Sequence, residues 1–145
     1  MLKNAVKALI WNDKSEILVL FRSETHPHLA HDIDLPGGEI DDDMSLEETL
    51  QREIIEETGL TVTASSDQLI HSWVEFWGTR QYLYDLEANS VDEVVISWEH
   101  KSYSWMTIEE FVSYPAKDEF MHRAQEWLRS QNNQTLEKLT VSTQG

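Results

Sequence analysis

The chain has 145 residues, enough for one compact domain with its own core and few for a second. It contains no cysteine, which excludes disulfides, thiolate metal sites and a cysteine nucleophile, and suits a cytoplasmic setting. With 27 acidic against 11 basic residues the formal net charge is −16, a surface that repels the phosphates of nucleic acid, and of a free nucleotide unless a cation lies between.

Met1-Leu2-Lys3-Asn4-Ala5-Val6-Lys7 mixes charge with apolar residues too early for a signal peptide and reads as a first strand. No apolar run approaches the ~20 residues of a membrane helix. Ala5 to Trp11 and Ile17 to Arg22 flank Asn12-Asp13-Lys14-Ser15 as a predicted hairpin. Ser23 to Asp34 is a predicted loop carrying His26, His28 and His31; with no thiolate and no i,i+4 helical pair, their spacing lends zinc little support. Leu35-Pro36-Gly37-Gly38 then breaks regular structure.

Ser45-Leu46-Glu47-Glu48 carries a helix-start signal, with Ser45 as cap and Glu48 placed to reach back, and Gly59 is the stop. Leu60 to Thr63, Leu69 to Phe76, Arg80 to Leu86, Val94 to Trp98 and Tyr103 to Met106 read as strands, with a turn at Gly78-Thr79. Thr107 to Phe111 repeats the cap signal, and Lys117 to Arg129 is amphipathic, with Phe120, Ala124, Trp127 and Leu128 on one side. Residues 131–145 are polar and expected to fray, leaving residues 1–130 as a single domain. Strands, helix, strands, helices is the order of an α/β mixed sheet sandwiched by helices.

The helix from Ser45 to Gly59 contains a conflict. Leu46 and Leu50 define its apolar line, and the same line continues into Glu53 and Glu57, with Glu56 one step round. Like charges at these spacings cost roughly 0.2–0.5 kcal/mol per pair. The C-terminal half of a helix disfavours anions by ~0.3–1 kcal/mol each, and partial burial of unpaired carboxylates costs more. A hard divalent cation, Mg²⁺ or Mn²⁺, reverses all three effects, because such ions prefer oxygen ligands and invert the local electrostatics. A solvated acidic face is the ordinary alternative.

Gly38 followed by Arg52-Glu53-Ile54-Ile55-Glu56-Glu57-Thr58-Gly59-Leu60 resembles the Nudix box, G-x5-E-x7-R-E-U-x-E-E-x-G-U with U a bulky aliphatic. Eight of its nine fixed or restricted positions match at the correct spacing, and Leu35-Pro36-Gly37 precedes them as it commonly does in that family. The resemblance implies a Nudix-like α/β/α sandwich and Mg²⁺-dependent hydrolysis of a nucleoside diphosphate linked to another moiety, NDP-X, by water. It implies that Glu53, Glu56 and Glu57, with a backbone carbonyl near Gly38, hold the metal, with Mn²⁺ as a substitute, and that the base among the glutamates varies within the family. Met44 stands where the first box glutamate is expected. That glutamate is similar to a brace for the box arginine, so Arg52 needs another partner; Asp42, Asp43 and Glu48 are the near candidates. Ile33 stands where many members carry a tryptophan.

Outside the box, Glu99 is the candidate for a further ligand or base, with Asp92 and Glu93 competing and a surface role as the alternative. Arg22 ends the second strand near the box loop, placed to meet a phosphate or to form a surface ion pair. Trp73 and Trp77 have the same parity on one strand run and so share a face able to stack on a base, with core packing as the competing use. The expected partner is a small nucleotide-type molecule, with neither nucleic acid nor membrane; a homodimer is compatible with exposed tryptophans. A Nudix-fold ligand-binding or sensor domain with little turnover is the alternative, favoured by Met44 alone. The isomerase branch of the fold generally uses a cysteine, which this chain lacks.

Overall fold

The computed structural model of the chain describes residues 4–26, 29–89 and 93–144. Alternation along β1 (Ala5–Trp11) sends Val6, Ala8 and Ile10 to one face of the sheet and Leu9 to the other. The chain reverses at Asn12, whose Oδ1 accepts from the backbone N–H groups of Lys14 and Glu16, with Ser15 at φ 60°. It then returns as β2 (Ile17–Arg22). The two strands pair beside this turn, at Trp11↔Ile17, and then diverge. Two short strands fill the opening: β3 (Ile33–Asp34) on β2 and β4 (Gly37–Glu39) on β1.

α1 (Leu46–Thr58) follows; Ser45 accepts from the backbone N–H of Glu48, and Gly59 closes the helix at φ 73°. The reciprocal bond from the Glu48 side chain is absent among the described hydrogen bonds. Next come a 3-10 turn (Ser66–Gln68), β5 (Leu69–Val74), β6 (Arg80–Glu87), β7 (His100–Met106), α2 (Ile108–Ser113) and α3 (Glu119–Gln144). The path β3-β2-β1-β6-β5, with β4 on β1 and β7 on β2, is a mixed sheet: β1 and β6 run parallel, from Ala5↔Gln81 to Trp11↔Glu87, and the other pairs antiparallel.

One face packs Leu50 and Ile54 of α1 with Val6, Ala8, Ile10, Leu18, Leu20 and Tyr84. The other packs Phe111 of α2 and Phe120, Met121, Ala124 and Leu128 of α3 with Leu9, Val19 and Leu83. The result is the α/β/α sandwich that the element order implies. Among the described residues no helix is long and apolar enough to cross a membrane.

Two expected strands do not form. Leu60 to Thr63 carries buried Leu60 and Val62 without joining a ladder. In Val94 to Trp98, the N–H groups of Val95 and Ser97 donate to Thr58 O and Glu57 O, so the segment caps the end of α1 instead of extending the sheet. α3 continues through Gln144.

Gly37 is the tight point. Its φ is 142°, and a Cβ there would lie 2.2 Å from Val6 O and 2.5 Å from Lys7 Cα. Gly37→Ala is expected to lower stability by more than the ~1–3 kcal/mol of backbone strain alone, read as a reduced melting temperature.

Candidate active site

The opening between β1 and β2 becomes a cleft of about 600 Å³, to which α1, the β5–β6 turn and the start of α3 also contribute. Its floor is a charge network carried by the diverging strands. Asp34 of β3 is ion-paired with Lys7 of β1, lies 3.1 Å from Arg22 Nη2 of β2, and meets His100 Nε2 at 3.2 Å. Arg22 Nη2 also donates to Asp118 Oδ2 at 2.8 Å. Burial pushes the Asp34 carboxyl up, but Lys7, His100 and Arg22 outweigh it and hold it well below the usual range. Arg22 is therefore neither surface-exposed nor in a surface ion pair: it is 2 % exposed, its Nε and Nη1 have no hydrogen-bond partner, and it lines the cleft.

Above this network stand the glutamates of α1. Glu57 is buried and accepts from the backbone N–H of Gly37 at 3.2 Å. Burial and the nearby Asp34 charge push its pKa well up, against smaller opposition from Lys7 and the Gly37 N–H. Glu53 packs on the Gly38 backbone, where a Cβ would meet its Oε2 at 2.9 Å. Burial, then the Glu56 and Glu99 charges, raise Glu53, and the hydrogen bond from Arg52 opposes them. Glu99 lines the same cleft, with its Oε2 3.8 Å from His26 Nε2.

The structure thus brings Gly38, Glu53, Glu57, Glu99, Arg22 and Trp77 to one cleft. Glu56 does not line it; its side chain is 60 % exposed and lies 3.8 Å from Arg52 Nε. Trp73 is turned the other way. It is 7 % exposed in the α3-side core, edge-on to Phe120 at 4.8 Å, with its Nε1 on Glu75. The face expected to be shared with Trp77 fails because β5 ends at Val74: Glu75 to Gly78 form a tight turn that resets the parity. His28 and Asp92 lie outside the described residues.

Arg52 finds a carboxylate despite Met44, though not one of those expected. Its Nη1 lies 3.3 Å from Asp41 Oδ2 and 3.0 Å from Met44 Sδ, and its Nη2 meets Glu53 Oε1 at 3.1 Å. Sequence reasoning also missed Lys7, Asp34, Glu75 and Asp118. The signal for Lys7 was parity, since it shares the core-facing side of β1 with Leu9.

The group best suited to a divalent metal by charge is Glu53, Glu57 and Glu99, which line one cleft although their carboxylate oxygens do not all lie within 4.8 Å of one another. His26, Asp34 and His100 do bring ligand atoms within 4.8 Å of one another. There, however, Lys7 and Arg22 already neutralise Asp34, and the two cations oppose a third.

Fold and cleft together define a hydrolase of the Nudix type. The chain belongs to the NUDIX domain family, whose model matches residues 1–130. It is similar to the MutT protein from Methanosarcina mazei Go1, with 31% identity and a TM-score of 0.74 over 90% of this chain and 94% of that one. The MutT NUDIX hydrolase from Burkholderia pseudomallei (22% identity, TM-score 0.63, 86% and 95% of the chains) shares the fold. So does the C. elegans Ap4A hydrolase (19%, 0.65, 92% and 98%). No curated protein matches the chain.

Proposed function

We propose that the chain hydrolyses a diphosphate linkage in a nucleotide or nucleotide derivative, NDP-X, with Mg²⁺ as the metal and Mn²⁺ as a substitute, acting in the cytoplasm. The observation that carries this reading is the convergence of Glu53, Glu57 and Glu99 on one cleft beside the Gly38 backbone. Glu57 is a nearly buried carboxyl whose pKa is raised by burial and by the Asp34 charge, a setting in which a bound cation stabilises the ionised form. Relatives named MutT and Ap4A hydrolase support a nucleotide-type substrate.

In this proposal Glu53, Glu57 and Glu99, with a backbone carbonyl near Gly38, would hold the metal, and Glu56, which lies against Arg52 outside the lining, would join them by turning inward. When bound, the metal neutralises the diphosphate and polarises the P–O bond. The chain's own residues do the rest. The Gly37 N–H orients Glu57, and Arg52 orients Glu53. Arg22, held by Asp34 and Asp118 in the floor of the cleft, adds positive charge beneath the phosphates, and Trp77 borders the substrate. One of Glu53, Glu56, Glu57 and Glu99 takes the proton of the attacking water. Trp73, buried in the core, is omitted. Because Asp41 takes up Arg52, Met44 no longer favours a domain with little turnover.

The test is a panel of nucleoside triphosphates, ADP-ribose, dinucleoside polyphosphates and nucleotide sugars with Mg²⁺ or Mn²⁺, with nucleotide and phosphate products measured. Metal-dependent cleavage of at least one is expected. Binding without product across the panel overturns the proposal in favour of a ligand-binding domain.

A further inference from the structure

The end of the cleft at the β5–β6 turn has a different character from the metal-binding glutamates. Glu75 lines it at 7 % exposure. One carboxylate oxygen, Oε1, accepts from Trp73 Nε1 at 2.8 Å; the other takes no hydrogen bond among the described residues and is not one of the fully buried unpartnered atoms, so it opens to the cleft, and no lysine, arginine or histidine there forms an ion pair with Glu75. A carboxylate so withdrawn from water is costly unless something positive or hydrogen-bond-donating meets it.

Trp77 lines the same end, 45 % exposed, and meets the solvent-exposed Phe76 ring edge-on at 4.9 Å between ring centroids. Gln81, also lining the cleft, uses its amide nitrogen on Thr79 Oγ1 and so leaves an acceptor. The cleft's lysine and arginine, Lys7 and Arg22, are matched to Asp34 and Asp118. This end therefore offers hydrogen-bond acceptors and an aromatic face but no free charged donor. A second anionic group is repelled there, whereas a cation is met by a carboxylate and a π-face together.

From this we propose that the group X of NDP-X carries a positively charged amine, seated between Glu75 and Trp77. The inference rests on the reading of the cleft as a diphosphate-hydrolase site. It names the substrate class as nucleoside diphosphates bearing a primary or quaternary ammonium.

The test uses CDP-choline, CDP-ethanolamine and CDP-glucose, three compounds with one nucleoside and one diphosphate. Turnover is measured with Mg²⁺, and equilibrium binding is measured by calorimetry without metal. The two ammonium compounds are expected to show a ~10-fold or greater advantage over CDP-glucose in both binding and kcat/KM. Glu75→Gln, which can still accept from Trp73, should bring that ratio toward one. Trp77→Ala should weaken the choline compound more than the ethanolamine compound, separating a quaternary from a primary amine as the preferred source. Equal handling of all three compounds, or a ratio unmoved by Glu75→Gln, overturns the inference while hydrolysis stands. A binding preference lost in Glu75→Gln, without turnover of any compound here or across the wider panel, sustains the inference and overturns the hydrolase proposal instead.

Discussion

Glu57→Gln is expected to reduce metal-dependent turnover by roughly 10²–10⁴-fold, the several kcal/mol that a correctly held metal contributes to a transition state. The same substitution should make the metal-free protein more stable, which separates it from a merely damaging change. The folded pKa of Glu57 is raised, so its contribution to stability is fully present below the unfolded carboxyl value and is lost as pH rises through the folded one. Once pH has risen through the folded pKa, metal-free wild type carries a buried charge that glutamine lacks, a difference on the order of 1–3 kcal/mol. Glutamine can still accept from the Gly37 N–H. Melting curves in a chelator at pH 5 and pH 8 check this: the variant's advantage should grow with pH, and added Mg²⁺ should raise the melting temperature of wild type far more than that of the variant. Unchanged turnover in Glu57→Gln would overturn the metal assignment even in an active protein.

Asp34→Asn should have the largest effect on folding. One carboxylate answers Lys7, Arg22 and His100 with almost no solvent contact. Removing it takes the ion-pair partner from half-buried Lys7 and leaves buried Arg22 to Asp118 and Asp32, a loss on the order of 3–5 kcal/mol, read as a lower denaturant midpoint. Its pH dependence runs opposite to that of Glu57. The Asp34 pKa is depressed, so the stabilisation is present above the ordinary carboxyl range and lost only as pH falls toward the strongly acid folded value. Between pH 6 and 9 Asp34 itself stays ionised, so in a Glu57→Gln background, where the carboxyl that the Asp34 charge raises is gone, the gap between proteins without and with Asp34→Asn should stay constant; a gap that closes with rising pH in that background would contradict the network.

The residues of α1 were legible because capping, periodicity and like-charge repulsion are local. Ser45 and Gly59 bound the helix where their side-chain chemistry says they should, and Glu53 and Glu57 interrupt its apolar line. The hairpin and most strands followed from alternation for the same reason. What was not legible depends on distant partners. Val94 to Trp98 has a strand-like composition, yet its N–H groups meet the end of α1. Trp73 and Trp77 have matching parity, yet a tight turn lies between them. Arg22 and Asp118 are 96 positions apart, and no pattern in one chain announces their bond. Asp41 replaces the missing box glutamate from three positions before it, a substitution of geometry that spacing alone does not reveal.

The parallel alignment of β1 with β6 bears on how the chain comes to be folded. β1 is made first, yet one whole edge of it waits for residues 81–87, while its other edge is covered early by the hairpin and β4. Closing so long a loop before any ladder bond forms is entropically slow. Until then an apolar strand keeps an open row of N–H and C=O groups, the feature that recruits other chains. During synthesis the floor of the cleft can take shape from nearby residues, but the sheet gains its centre only after Glu87 has left the ribosome. Fragments ending before that point should aggregate even when α1 is intact.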